Sequence, residues 1–443
     1  MTDHTASRCH RPLFLLAPLA LAALGSQAQA APFPTYDPVS MSMGGAGVAL
    51  PDRNSGTLLN PAALAAMPEN RRWAINAHAG GRAFDPDEFF DALDDFQDDD
   101  LVDRLEFAIE DAEGSNGQDA RERLEGLAGA FDDLDAGLQN VSDRPIQAEL
   151  GANFAVNRAD PQLGVGVHTG GWAALGATAN YRDSLLGDVA AEIRLCVERL
   201  DDGEDACTED EGGFQRISVD QDDVDILFDT DELESDVEIR GVAVREVGVT
   251  LAHNFRLANR DWATGVTVKS QRVETFDYVA LVDDADEDDI DEDDFLESYS
   301  DFNLDVGFST RLAPGWRAGA TVRNLIPRSY ETARGNDIDL DPQVRAGLSY
   351  DGGWFRLAGD ADVTRNDPVG LEDGTQFIGA GGEIDIANWF QIRGGYRVDL
   401  VDSARNTASV GFGFSPFQTV RLNVGAAGNS DEMGGAFQLG VTF

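Results

Sequence analysis

The chain has 443 residues and a formal net charge of −48, from 81 acidic side chains against 33 Lys and Arg. So acidic a chain does not hold nucleic acid by neutralising phosphates; its plainest reading is a surface adapted to high salt, with a cation- or partner-binding surface as the alternative. Beyond the first thirty residues no apolar run approaches the about twenty residues of a membrane-crossing helix, which argues against a helical membrane protein.

Residues 1–30 read as an export signal. Arg8 and Arg11 form a basic start, Leu13 to Leu24 an apolar core too short to span a bilayer, and Ala28-Gln29-Ala30 a small-residue cleavage site before Ala31. Cys9 precedes the apolar core, so it is no lipid-bearing cysteine at the cut. Residues 31–71 follow and contain SMGGAGVALPDRNSGTLLNPAAL, Ser42 to Leu64. Gly44, Gly45 and Gly47 permit a tight coil. Asn60 is a favoured helix N-cap, Pro61 fits the first helical position, and Pro68 stops the run. This apolar, compact segment is predicted to plug whatever follows.

From 72 to 443 a period of two recurs. In MGGAFQLGVTF, Phe437, Leu439, Val441 and Phe443 alternate with Ala436, Gln438, Gly440 and Thr442. In GWRAGATVRNL, Trp316, Ala318, Ala320 and Val322 oppose Arg317, Gly319, Thr321 and Arg323. Such segments lie at 72–82, 147–157, 163–183, 238–256, 261–280, 299–311, 315–325, 342–350, 354–363, 374–384, 388–397, 405–414, 418–427 and 434–443. They predict an all-β transmembrane barrel of the outer-membrane type, with about 14 antiparallel strands. Short connections alternate with long ones, which places both chain ends in the periplasm and the acidic loops outside. A periplasmic location for the largest insertion stays open, because that parity rests on the first strand. Phe443 resembles the C-terminal assembly signal read by the barrel assembly machinery.

Two insertions interrupt the barrel. Residues 83–146 carry Leu124, Leu127, Phe131, Leu134 and Leu138 at helical spacing, after Phe89, Leu93 and Phe96, and are predicted to form an acidic helical hairpin over the barrel mouth. The loop 184–237 carries Cys196 and Cys207, which in an exported chain suggest a disulfide. The run Asp283 to Asp294 suits hard cations by composition, but it lacks a calcium-loop register and reads as a solvated loop. His78, His168 and His253 fall on separate strands with no acid–base partner at telling spacing. No catalytic motif, metal-ligand spacing or cofactor cradle is present, so neither enzyme activity nor a cofactor is expected.

The inward faces carry Arg317, Arg323, Arg345, Arg356, Arg393, Arg397 and Arg421 beside Asp305, Asp360 and Asp362. Arg at mid-membrane on the lipid face costs roughly 2–4 kcal/mol, so these charges are placed in the lumen. They read either as a network that stiffens the barrel and grips a plug, or as a polar, anion-attracting conduit.

MGGAGVA followed by NPAAL resembles the N-terminal hatch of the FadL-like barrels, fourteen-stranded channels for hydrophobic compounds. VKSQRVETFDY, VRNLIP, PQVRAGLSYDGGWFRLAGDADVT, QIRGGYRVDL and AFQLGVTF resemble the exported family called conjugal transfer protein TraF, a likeness running through nearly all the mature chain. That name is shared with a thioredoxin-fold protein, against which the missing C-x-x-C argues. The resemblance implies an outer-membrane barrel in contact with lipid. Its expected role is passage or capture of a hydrophobic small molecule or, alternatively, interaction with conjugal transfer proteins.

Overall fold

The computed structural model describes residues 33, 36–52, 54–67, 73–113, 119–181, 185–202, 206–208, 215–220, 223–226, 235–281, 295–366, 369, 371, 374–387 and 389–443. The signal segment 1–30 and the Asp283–Asp294 run lie outside the described residues.

Fourteen strands close into one barrel. They are β1 (Trp73–Phe84), β2 (Ile146–Arg158), β3 (Gly164–Asn180), β4 (Asp236–Leu257), β5 (Arg260–Leu281), β6 (Leu296–Ala313) and β7 (Trp316–Arg323), then β8 (Gln343–Asp351), β9 (Phe355–Asp362), β10 (Phe377–Ile386), β11 (Phe390–Asp399), β12 (Thr407–Phe414), β13 (Val420–Gly428) and β14 (Glu432–Thr442). Each pairs antiparallel with its neighbours, and β14 returns to β1 in a register running from Ala74↔Thr442 to Phe84↔Glu432. All fourteen alternating segments are strands of this barrel, with ends shifted by at most three residues.

The alternation works as a two-solvent code. Leu150, Val249, Leu251, Val268, Leu348, Ile378, Val410, Phe437 and Leu439 point outward and are exposed, while His78, Lys269, Arg345, Asn423 and Gln438 point inward and are buried. A closed barrel satisfies every ladder hydrogen bond, so an apolar exterior is favourable in hydrocarbon. Among the described residues no helix is long and apolar enough to cross a membrane. Rings gather at one rim: Trp316 packs 5.1 Å from Tyr350, and Trp389 5.6 Å from Phe414. That aromatic belt marks a membrane–water interface. The same rim holds the short turns, among them the two-residue Ala258-Asn259, both at positive φ as such a hairpin turn favours.

The opposite rim carries the insertions, and here the hairpin reading is corrected. Residues 83–146 form three helices, α4 (Phe89–Asp98), α5 (Leu101–Glu113) and α6 (Asp119–Val141), and a fourth, α7 (Leu185–Asp201), joins them from the next insertion. Numbers α1 to α3 belong to the short helices Pro38–Met41, Gly56–Leu59 and Ala63–Ala66. Leu124, Leu127 and Phe131 of α6 share one core with Leu101 and Leu105 of α5 and Leu186, Val189 and Ile193 of α7. Leu186, Val189, Ile193 and Val197 make an apolar stripe that would lie in water without α6 to cover it. Cys196 of α7 is bonded to Cys207, in a short strand beyond it, so the bridge joins a helix to its own return.

Candidate functional site: a plug and its glycine socket

The described part of segment 36–67 fills the lumen. Inner-face glycines make room for its backbone, because a side chain there would collide. A Cβ at Gly381 would lie 2.5 Å from the Met43 Cα, one at Gly319 2.6 Å from the Val48 carbonyl oxygen, and one at Gly425 2.7 Å from the Pro38 oxygen. Gly265 and Gly307 likewise face Pro61 and Asn60. The glycine-rich strands therefore form a socket cut to the plug.

Polar groups then latch the plug. Asp360 accepts from the Gly47 and Val48 N–H groups at 2.7 and 2.8 Å. Ser409 accepts from the Gly44 N–H at 3.1 Å, and the Ser349 hydroxyl donates to the Ala49 carbonyl at 3.0 Å. Gly44 and Gly45 sit at φ +67 and +82, which lets the coil turn back under β10 and β11. The Asn60 amide donates to the Val48 carbonyl at 2.8 Å, and its oxygen accepts from the Ala62 N–H at 3.0 Å. The expected cap is thereby corrected: α3 starts at Ala63, with Ala62 at its N-cap and Asn60 closing α2. The Pro61 ring blocks helical continuation back from α3.

Asp37 anchors the start of the plug. It accepts from the Ser40 N–H at 2.8 Å and from the Ser55 hydroxyl, and it lies 3.1 Å from His78 Nδ1 of β1. Burial alone would raise the Asp37 carboxyl, but the hydrogen bond and charge of His78, with the Ser55 and Ser40 donors, hold it below its ordinary value. Burial pushes the neighbouring Tyr36 hydroxyl upward.

The inward charges form several clusters. Arg345 bonds Asp362 at 2.5 Å and stacks over the Phe33 ring at 4.1 Å. Arg356 and Arg393 share Glu383, and Arg397 and Arg82 share Glu432. Arg421 reaches Asp52 of the plug at 3.3 Å. Asp305 meets Lys269 at 3.1 Å, Lys269 meets Glu246 at 3.2 Å, and Arg323 lies 3.9 Å from that same Glu246. Among the described residues Arg317 has no ion-pair partner, and it makes a 3.4 Å bond to the Ser309 hydroxyl. Glu246, Glu383, Glu432, Arg82 and Asp37 escaped the sequence reading; their inward parity on alternating strands was the available signal for the four wall residues. His168 Nε2 lies 3.4 Å from Glu246, whereas His253 faces outward and bonds the Gln162 carbonyl at 2.6 Å. Phe443 ends at the β1 edge, its N–H donating to the Trp73 carbonyl at 3.0 Å. Among the described residues no group of three His, Cys, Asp or Glu could hold a metal.

The toluene transporter TbuX of Ralstonia pickettii is similar over 92% of this chain and 98% of its own, at 11% identity and a TM-score of 0.48. The toluene transporter TodX of Pseudomonas putida is similar over 94% and 98%, at 10% identity and a TM-score of 0.41. A FadL homologue of Pseudomonas aeruginosa is similar over 93% and 98%, at 10% identity and a TM-score of 0.35. No curated protein matches the sequence. Residues 57–362, from the plug through β9, match the family described as F plasmid transfer operon, TraF, protein, and the chain belongs to that family.

Proposed function

We propose that this outer-membrane barrel captures a hydrophobic small molecule and passes it beside a displaceable plug. One observation carries the reading. Across β1, β2 and β3 the wall beside Tyr36 is nearly bare of side chains, with Gly80 opposite Gly151, and Gly170 and Gly171 opposite Asn153 and Ala152. Outside this patch lies a shallow depression of about 700 Å³, lined by Ala77, Ala152, Phe154 and Val247, with Arg245 and Arg272 at its polar side. A small cavity behind it touches Tyr36, Met41 and Trp172. A wall this thin next to a plug held by hydrogen bonds suits sideways passage of an apolar solute. Export by the 1–30 signal and insertion by assembly machinery reading Phe443 belong to the same proposal.

The test is entry of a neutral apolar fluorophore, N-phenyl-1-naphthylamine, into vesicles carrying the purified barrel. Ala152→Trp fills the depression from the lipid side without touching the ladder and is expected to slow entry several-fold. Entry no faster than in protein-free vesicles overturns the reading.

A second reading, an interaction role in transfer assembly, is favoured by the helical unit. A groove of about 870 Å³ between α5 and α6 exposes Phe107; Arg104 and Arg123 in it are paired with Asp133 and Asp111, and Asp100, Asp103 and Glu122 add an acidic excess that suits a basic partner segment. A stoichiometric partner that co-purifies with the barrel and is lost with Phe107→Asp would support it. A barrel isolated alone from its native membrane would remove it.

A further inference from the structure

At the short-turn rim two arginines face each other, neither with an ion-pair partner among the described residues. Arg311 of β6 and Arg317 of β7 are direct cross-strand partners on the inner face. Like charges in that position destabilise a sheet. Among the described residues neither has a carboxylate within 4.0 Å, in a chain with 81 acids to 33 bases. The other inner-face arginines of the barrel described above all meet one: Arg323, Arg345, Arg356, Arg393, Arg397 and Arg421. Shortage of acid therefore does not explain the bare pair.

The pair opens into a cavity of about 500 Å³, a volume within the roughly 300–1,000 Å³ of small-molecule sites. Arg356, held by Glu383, lines its far side, and Leu50, Pro51 and Met67 of the plug supply an apolar floor. Asp351 also lines it and accepts from the Gly353 N–H at 2.9 Å; its carboxylate attracts Arg317 from beyond ion-pair distance. Trp316 and Tyr350 stand at the rim where the aromatic belt meets water.

We infer that this cavity binds the anionic head of an amphiphile, a carboxylate or phosphate group on an apolar chain, between Arg311 and Arg317. Two guanidiniums grip such a planar or tetrahedral oxyanion by paired hydrogen bonds, and the bound charge removes the repulsion that the free pair carries. The tail lies along the plug floor. The head arrives either on a lipid of the surrounding leaflet or on a free solute, and the chemistry is the same for both. The site does not depend on passage through the wall.

Calorimetry on the full-length barrel in a non-ionic detergent tests this with dodecanoate, dodecanol and inorganic phosphate. Dodecanoate is expected to bind at least tenfold more tightly than dodecanol or phosphate. Arg311→Gln with Arg317→Gln is expected to abolish that preference while leaving the barrel's thermal transition unchanged or higher, because the repulsion is gone. Native mass spectrometry separates the sources. Phosphatidylglycerol retained over phosphatidylcholine, and lost in the double variant, assigns the head to a lipid; dodecanoate binding without retained lipid assigns it to a solute. Equal affinity for dodecanol and dodecanoate, or binding within twofold of wild type in the double variant, overturns the inference.

Discussion

Asp360, deep in the barrel wall on β9, accepts from the N–H of Gly47, a residue 313 positions earlier in the plug, at 2.7 Å, and the adjoining Val48 N–H shares the same oxygen. Hydrogen bonds to a charged acceptor are worth about 1.5–3 kcal/mol each, and losing the acceptor strands two buried donors. Asp360→Ala is therefore expected to loosen the plug by roughly 2–3 kcal/mol, and Asp360→Asn, which keeps an acceptor oxygen, by less. Hydrogen exchange of the Gly47 and Val48 amides, faster in Ala than in Asn, is the measurement. Unchanged protection in the Ala variant would show that the socket alone holds the plug.

The socket itself makes a second prediction. Gly44 and Gly353 both have positive φ, at +67 and +89, yet a Cβ on Gly353 meets nothing within 4 Å while one on Gly44 runs into the Tyr396 and Ala380 carbonyls. Gly353→Ala is expected to cost only the left-handed strain, roughly 1–2 kcal/mol. Gly44→Ala adds a backbone collision and is expected to unseat the coil. Thermal unfolding followed by gel mobility should fall clearly more for Gly44→Ala; equal losses would mean that the plug yields at that point.

How far these features were legible in the sequence follows from what periodicity encodes. A period of two assigns each residue to a face, so the strands, the inward Arg317 and Arg393 and the apolar belt could be read directly. It does not tell which inward residues meet, since that depends on strand register and shear. Glu383 as the shared partner of Arg356 and Arg393 was therefore invisible, as was the bare Arg311–Arg317 pair. The helices show the same limit: the stripe Leu124, Leu127, Phe131 announces burial, but its partner α7 lies in another insertion. Asn60 was misplaced because an isolated Asn-Pro pair favours a cap, whereas here the Asn side chain serves the Val48 carbonyl as well as the Ala62 N–H.

Acid should release the plug's first turn. The Asp37 carboxyl, buried beside His78, is more acidic when folded than in an unfolded chain. The contact therefore stabilises fully above the ordinary carboxylate value of about 4 and is lost as pH falls below it, through the lower folded value. Exchange of the Ser40 amide, which Asp37 accepts at 2.8 Å, is expected to accelerate below about pH 4 beyond its intrinsic rate. Asp37→Asn should remove that acid step; a step that persists in the variant would assign it elsewhere.

The bridge between Cys196 and Cys207 closes a loop with a sequence separation of 11. Chain entropy alone gives such a loop about 3 kcal/mol. Reduction, or Cys196→Ser with Cys207→Ser, is expected to raise exchange in α7 and in the α6 face it covers, leaving the barrel strands unchanged. Loss of barrel protection on reduction would show that the helical unit supports the wall.

Lys269, the chain's only lysine, has a fully buried side chain between Glu246 at 3.2 Å and Asp305 at 3.1 Å. Lys269→Met leaves two buried carboxylates facing one another with Arg323 and His168 beside Glu246, and breaking such a pair costs about 3–5 kcal/mol. Replacing the acids together with the lysine removes the unpaired charges, so Lys269→Met with Glu246→Gln and Asp305→Asn is expected to recover most of the loss. Heat-modifiability on gels reads the folded fraction directly. A single Lys269→Met variant as stable as wild type would show that water reaches this cluster and screens it, and the lumen would then be wet above the plug.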